Sequence, residues 1–283
     1  MKITYIGHSG FAVELAGCAL LFDYYEGTLP AFNSEKPLYV FSSHAHRDHF
    51  NFDIFRLRET HPDVTYILSR DIRRSWNAAG FARHGVAKEA YDALVFLRPY
   101  ERTELGGIAV ETLDSTDEGV AFLVSAEGKT LFHAGDLNDW VWNEESPEEN
   151  RAMTARFRAE VDRLAGRRID AAFLVLDPRQ GANFACGFDY FMRHTDTVRA
   201  YPMHFWKDFF RVRPPAGAAV FGALQGADCR RRGILKKTAF SKIWGGFLRS
   251  RPLFCAYSAS SYPTKSSESQ RRARPLCLYP SFW

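Results

Sequence analysis

The segment Ser42-Ser43-His44-Ala45-His46-Arg47-Asp48-His49-Phe50 concentrates three of the nine histidines of the chain within six residues. It follows an apolar run, residues 38–41, that is typical of a buried strand. The two-residue spacing of His44 and His46 places both side chains on one side of the strand end, and Asp48 and His49 can face the same space as the chain turns. Neutral imidazole and carboxylate are good ligands for zinc and similar metals. The segment therefore predicts a metal site, and the alternative is an exposed histidine-rich loop without a metal.

Short apolar runs around this segment predict a strand-rich chain that carries several helices. A hairpin turn is expected at Glu127-Gly128, and Ser146 with Glu149 forms a capping box at the start of a helix. The order of elements suits helices that pack on the outside of sheets. The predicted strands are residues 3–6, 11–15, 19–22, 38–41, 64–68, 108–113, 120–124, 130–133, 171–176 and 200–203, and the predicted helices are residues 51–61, 70–92, 146–166 and 187–194.

The charge of the chain is divided unevenly. Residues 214–283 hold 12 basic and 2 acidic residues, which leaves 25 basic and 31 acidic residues in residues 1–213. The basic balance therefore belongs to the last quarter of the chain, and the acidic body argues against nucleic acid as a partner. Residues 214–283 also lack sustained hydrophobic periodicity, so we expect a basic, Ser/Pro/Arg-containing, disordered tail after a folded domain, residues 1–213.

The cysteines and the lengths of the apolar runs indicate in which cellular compartment the protein is expected. The five cysteines are scattered and form no CxxC pair, which favours reduced thiols. No apolar run reaches the length of a membrane span, and the first residues turn polar before a signal peptide could form. We expect a cytoplasmic protein that does not contact membranes, and the sequence leaves its oligomeric state open.

The histidine segment resembles the HxHxDH signature of the metallo-β-lactamase superfamily, and other landmarks follow in the family's order over roughly residues 1–210. The opening resembles the lactonase-like and phosphodiesterase-like branch. The resemblance implies an α/β (α+β) fold, a four-layer αββα sandwich with metals at one edge of its two sheets. The further matching segments are Tyr5-Ile6-Gly7-His8-Ser9-Gly10-Phe11, Leu20-Leu21-Phe22-Asp23, Phe132-His133-Ala134-Gly135-Asp136 and Tyr201-Pro202-Met203-His204-Phe205-Trp206.

The resemblance also implies a set of ligands. One metal would be held by Asp48, His49, Asp136 and His204, and a second by His44 and His46, which would share Asp136 with the first. The resemblance also implies that Asp48 and Asp136 are the catalytic residues. The implied cofactor is one or two divalent metal ions, zinc in the first place.

One departure from the family puts the second metal in doubt. The family usually has a third histidine before the strand that leads to Gly135-Asp136, and this chain has Asp114 and Ser115 there. A hydroxyl is a poorer ligand than imidazole, so the site of His44 and His46 is weak or empty unless Asp114 or Asp117 substitutes. Added carboxylate makes manganese or iron an alternative to zinc.

Other residues are candidates for supporting roles. His8 and Asp23 either orient the ligands or satisfy hydrogen bonds of turns. Arg179 either binds a phosphate or carboxylate of a substrate, or forms a salt bridge that holds its loop. His133 is interpreted as structural, because it alternates with its neighbours along a strand.

These residues favour a metal-dependent hydrolase that uses metal-bound hydroxide on a small ester, lactone or phosphoester. The expected partner is a small-molecule substrate. Two alternatives stay open: a nuclease or RNA-processing enzyme of the same superfamily, and a degenerate scaffold that binds a metal or ligand without catalysis.

Overall fold

A computed structural model of the chain describes residues 1–206, which form two six-stranded sheets and a two-stranded one. The predicted tail, residues 214–283, lies outside the described residues, so its disorder stays a prediction, as does the domain boundary at residue 213.

The first sheet is formed entirely by the N-terminal half of the described residues. Its strands follow one another in chain order, antiparallel from the first to the third and parallel from the third to the sixth. Its strands are β1 (Lys2–Gly7), β2 (Gly10–Glu14), β3 (Ala19–Phe22), β4 (Leu38–Ser42), β5 (Val64–Ser69) and β6 (Val95–Leu97).

The second sheet has the order β14-β12-β10-β9-β8-β7. Strands β10, β12 and β14 are parallel to one another, and the pairs on the other side are antiparallel. Two short strands, β11 and β13, pair separately. The bounds are β7 (Arg102–Leu105), β8 (Ile108–Asp114), β9 (Val120–Ala126), β10 (Lys129–His133), β11 (Arg168–Ile169), β12 (Ala171–Val175), β13 (Asp196–Thr197) and β14 (Ala200–Met203).

The helices differ in their bounds from the sequence prediction: α5 (Cys186–His194) begins one residue before the predicted residue 187, and α4 (Pro147–Asp162) ends before the predicted residue 166. The capping box of Ser146 and Glu149 is present at the start of α4. The helix predicted at residues 51–61 is a 3₁₀ helix, Phe52–Glu59, and residues 70–92 form three short helices. No helix in residues 1–206 is long and apolar enough to cross a membrane. The helices are α1 (Arg70–Ser75), α2 (Ala78–Arg83), α3 (Lys88–Asp92), α4 (Pro147–Asp162), α5 (Cys186–His194) and a second 3₁₀ helix, Pro178–Asn183.

The alternation of side chains along the strands builds four layers. Phe11 and Phe22 of the first sheet point at the second, with their rings 4.4 and 5.9 Å from the ring of Phe173. Leu21 precedes Phe22 on β3 and pairs with Ala12, and it lies in a separate apolar cluster with the residues of α1–α3 and the first 3₁₀ helix. On the far face of the second sheet, Phe132 stacks on Phe191 of α5 at 4.9 Å. The αββα sandwich that the family resemblance implies is therefore the fold of residues 1–206.

Polar residues follow the parallel strands at their carboxyl ends. In open sheets of this kind, ligands bind at that edge. Asp23 follows β3, His44 follows β4, Asp136 follows β10, Asp177 follows β12 and His204 follows β14. The fold thus brings to one edge residues that lie far apart in the chain.

Two glycines allow the sheets to approach closely beside this edge. Gly119 has φ +72, and a Cβ built on it would lie 2.0 Å from the carbonyl oxygen of Ser43. Gly135 has φ +52, and its Cβ would lie 2.7 Å from the Cβ of Ser43. Val120 N donates a hydrogen bond to Ser43 O at 2.9 Å, so the loop before β9 is joined to the end of β4. A side chain at either glycine would push the two sheets apart at the site.

The substitution Gly119→Ala tests this constraint against Gly166→Ala, whose site has a similar φ of +75 but no atom within 4 Å of the added Cβ. The left-handed backbone costs both variants about 1–2 kcal/mol. The clash with Ser43 and His44 adds about 1–3 kcal/mol in Gly119→Ala alone. Urea unfolding of both variants measures the difference in free energy of unfolding, and equal losses would show that the close approach is not required.

Candidate metal centre

The carboxylate of Asp136 lies between histidines that come from both sheets. Its Oδ1 is 3.2 Å from Nε2 of His49 and 3.4 Å from Nε2 of His204. Its Oδ2 is 3.4 Å from Nε2 of His44. Each oxygen therefore faces a different set of imidazoles. In this arrangement, a carboxylate could bind one cation with each of its oxygens.

Two groups of donor atoms surround this carboxylate. Within each group, the atoms that could bind a metal all lie within 4.8 Å of one another. Every member is buried except Asp48, which is half-buried, and His46, which is exposed. We call the first group site A, which contains His8, Asp48, His49 and His204, and the second group site B, which contains His44, His46 and Asp136.

Several donor atoms of the two sites are buried without a hydrogen-bond partner. These are Nε2 of His8, His44 and His49, and Oδ1 of Asp136. Buried polar atoms are almost always paired, and leaving one unpaired costs about 1–3 kcal/mol. A cation at each site would satisfy these atoms together, so the residues present fit a metal.

The protonation states favour the same conclusion. Burial lowers the pKa of His44, His49 and His204, so their rings are neutral near pH 7 and each keeps a lone pair for a ligand. Burial raises the pKa of Asp136, and the negative charges of Asp117 and Asp48 raise it further. An ionised carboxylate in that position is stabilised by a nearby cation.

Asp23 fixes the orientation of His49. Its carboxylate accepts hydrogen bonds from Nδ1 of His49 at 2.7 Å, from the backbone N–H of Ser43 at 2.7 Å and from the Ser43 hydroxyl at 2.6 Å. Because Nδ1 of His49 is engaged, Nε2 is the nitrogen that faces Asp136. Asp23 therefore holds the ring of His49 and also the turn at Ser43, so its contacts include both roles considered for it.

Asp177 plays the same part for His204, and the sequence interpretation assigned it no such role. It accepts a hydrogen bond from Nδ1 of His204 at 2.9 Å. The sequence could have indicated this role, because Asp177 follows an apolar strand as Asp23 does. Arg179 donates from Nε to Asp177 at 2.8 Å, so it forms the loop salt bridge that was one of its two expected roles.

Four residues at this edge have left-handed backbones that glycine usually occupies. They are His8 (φ 47), Asp23 (φ 42), His204 (φ 62) and Trp206 (φ 52). Such conformations cost free energy in residues with a Cβ and cluster at functional sites. Their concentration here indicates that the fold holds these side chains in place at the expense of stability.

Asp114 and Ser115 do not join either site. Asp114 ends β8, where its backbone N–H donates to Glu160 at 3.2 Å. The hydroxyl of Ser115 accepts from the backbone N–H of Asp117 at 3.2 Å. Among residues 1–206, the donor group of site B thus contains no third imidazole and none of Asp114, Ser115 and Asp117, although the negative charge of Asp117 is close enough to raise the pKa of Asp136.

Two further side chains, His133 and Trp140, lie near the sites. Nε2 of His133 lies 2.9 Å from the carbonyl of Ser9, and its ring stacks on Phe22, which fits the structural role expected for it. Trp140 donates from Nε1 to the backbone carbonyl of Asp136 at 2.9 Å, and its ring lies 5.6 Å from that of His204. Trp140 thus supports the loop that carries Asp136 and forms one wall of the site.

Comparison with known proteins places these features in a family. The family model described as "Beta-lactamase superfamily domain" matches residues 2–152. A protein of Alkaliphilus metalliredigens named "UPF0173 metal-dependent hydrolase" is 31% identical over 146 residues, which is 48% of this chain and 63% of that protein. Its namesake in Opitutus terrae is 32% identical over 145 residues, again 48% of this chain and 63% of that protein. The chain thus spans less than two thirds of the length of these relatives.

Solved structures resemble the chain more distantly. The metallo hydrolase Igni18 of Ignicoccus hospitalis superposes with a TM-score of 0.45 and 15% identity, covering 71% of this chain and 81% of that one.

Replacing Asp23 with Asn tests the supporting role assigned to it. The variant keeps the size of the side chain but weakens the acceptor that orients His49, so we expect zinc affinity to fall by about 10–100-fold. Asp170→Asn is the matched control, because Asp170 also accepts a backbone N–H, from Thr130 at 3.0 Å, but lies outside both sites. Competition with a chromogenic chelator measures both affinities. Unchanged affinity in Asp23→Asn would contradict the role.

Proposed function

The chain belongs to the beta-lactamase superfamily, and on this premise we propose that it is a metal-dependent hydrolase of a small ester, lactone or phosphoester. The observation that carries the proposal is the division of the two Asp136 oxygens between site A and site B: Oδ1 lies 3.2 Å from the unpaired Nε2 of His49, and Oδ2 lies 3.4 Å from the unpaired Nε2 of His44. The name of the two curated relatives supports it.

The ligand roles follow from the donor groups. Asp48, His49 and His204 with Oδ1 of Asp136 would hold one ion, and His44 and His46 with Oδ2 of Asp136 would hold another. Imidazole-rich sets favour Zn²⁺, and the carboxylates keep Mn²⁺ and iron as alternatives. A bound divalent cation supplies Lewis acidity, which lowers the pKa of water to about 7 and draws charge from the electrophilic oxygen.

The chain's own residues position the reactants. Asp23 and Asp177 hold the rings of His49 and His204 against Asp136, so the donors do not have to reorganise when substrate arrives. Although burial acts to raise the pKa of Asp48, its contact with the His8 imidazole helps to lower it below the usual range. Asp48 therefore stays ionised, and since it is only half-buried it can accept a hydrogen bond from an attacking water.

Trp206 and Arg179 lie beside site A. The ring of Trp206, 44% exposed, lies 4.6 Å from that of His8, and the Arg179 guanidinium lies 5.1 Å over the Trp206 ring. The positive charge of Arg179 is largely compensated by Asp177, which is fully buried beneath it. Together with the excess of 31 acidic over 25 basic residues in residues 1–213, this argues against a long polyanion such as RNA. We therefore propose a small-molecule substrate rather than nucleic acid.

Replacement of Asp136 with Asn tests the proposal. The amide keeps the shape of the side chain but lacks the negative charge and the second oxygen with which the carboxylate could bind two cations. Loss of a supporting residue costs roughly 10–100-fold, and we expect turnover to fall by more than that. The assay uses zinc-, manganese- and iron-loaded protein on p-nitrophenyl esters, lactones and bis-p-nitrophenyl phosphate. Asp189→Asn, on the outer helix α5, is the control that keeps full activity.

Two results would contradict the hydrolase. Full activity of Asp136→Asn would show that Asp136 does not serve the reaction. A wild-type protein that binds metal but turns over none of these substrates would favour the non-catalytic scaffold.

A further inference from the structure

We propose that His8 is a further metal ligand in site A, and that site A consequently binds its ion more tightly than site B, so that the two ions bind in sequence. The inference rests on the proposed metal-dependent function, which by itself assigns no ligand role to His8. It concerns a residue of the turn between β1 and β2, outside the histidine segment.

The imidazole of His8 is aimed into site A. Its side chain is 5% exposed, and its Nε2 lies 3.2 Å from Oδ2 of Asp48. That nitrogen is buried and, although it is close to Asp48, it makes no hydrogen bond of acceptable geometry. The ring centre lies 4.3 Å from that of His204 and 5.4 Å from that of His49. An unpaired, buried nitrogen among three other donors is in the position of a ligand.

The backbone holds His8 in this place in spite of a steric cost. Its φ is 47, a conformation that glycine adopts freely and that other residues rarely adopt. The carbonyl of His8 accepts a hydrogen bond from the backbone N–H of His204 at 3.2 Å, which joins the β1–β2 turn to the end of β14. Because glycine would make this turn at lower cost, the imidazole requires another reason, and metal binding supplies one.

The donor sets of the two sites are then unequal. Site A has three imidazoles and the Asp48 carboxylate, with Oδ1 of Asp136 in reach. Site B has two imidazoles and Oδ2 of Asp136, and its His46 is exposed. Zinc prefers four protein donors in a closed site, and three leave an open position. The ion in site A should therefore bind first and exchange slowly, and the ion in site B should bind second and exchange readily.

The alternative role for His8 is a hydrogen bond to Asp48 that orients this carboxylate. The two roles respond differently to His8→Gln, because a glutamine amide still donates a hydrogen bond but is a poor metal ligand. They also differ in His8→Gly, which suits the left-handed turn and leaves a gap that free imidazole can fill.

The experiment titrates the full-length apoprotein with Zn²⁺ against a chromogenic chelator, and separately with Co²⁺ while its visible absorption is recorded. Wild type should show a tight and a weak class of site. Both His8 variants should weaken the tight class and change the Co²⁺ spectrum of the first ion bound, and added imidazole should restore both properties in His8→Gly. His46→Ala should remove the weak class alone, and His84→Gln, outside both sites, should resemble wild type.

Each contrary result has a distinct meaning. A tight class and Co²⁺ spectrum unchanged in His8→Gln, with metal still bound, would overturn the ligand role while the proposed hydrolase stands. Two ions bound with equal affinity in the wild type would overturn the proposed order of binding. Absence of any bound Zn²⁺ or Co²⁺ in wild type would overturn the proposed function and this inference together.

Discussion

The buried carboxylate of Asp136, set between imidazoles of both sheets, is the interaction on which the site depends. Its oxygens lie 3.2–3.4 Å from Nε2 of His44, His49 and His204, and none of these four residues is more than 4% exposed. Without a cation, this arrangement leaves buried donors unpaired and a carboxylate whose pKa burial raises. The free energy that holds it together must come from the surrounding fold.

The fold supplies that support at several levels. Aromatic packing between the sheets, such as Phe11 and Phe22 against Phe173, sets the distance between the strand ends that carry the ligands. Gly119 and Gly135 let the facing loops approach where a Cβ would collide with Ser43. The left-handed conformations at the site are stable because these contacts determine them. Local strain and global packing are thus coupled, and the site forms only when both sheets are in place.

The sequence alone was sufficient for most of the fold. Long or alternating apolar runs matched strands, as at β3 and β14, and the capping box at Ser146 marked the start of α4. Two short edge strands were missed: β7 has little hydrophobic pattern because most of its residues are polar, and β6 is apolar but has only three residues. The 3₁₀ geometry of Phe52–Glu59 was also missed, since the apolar spacing of one short segment does not distinguish it from an α-helix.

The site was predictable where ligands cluster in the sequence and less so where tertiary structure brings them together. The spacing of the residues from His44 to His49 predicts a metal site from the sequence alone. The position of Asp177 at the end of a strand was visible in the sequence, but its pairing with His204 depends on which strand ends become neighbours. The place of His8 depends on how a turn directs its side chain. The absence of a third histidine was visible in the sequence, but only the fold shows that Asp114 lies outside both donor groups.

Anomalous diffraction at the zinc edge, from crystals of the zinc-loaded protein, tests the central claim most directly. The account predicts two peaks, one beside each oxygen of Asp136 and roughly 3.5–4 Å apart, as in two-metal sites. The peak among Asp48, His49 and His204 should have the higher occupancy. Absence of a peak beside Asp136 in crystals that contain zinc elsewhere would contradict the account.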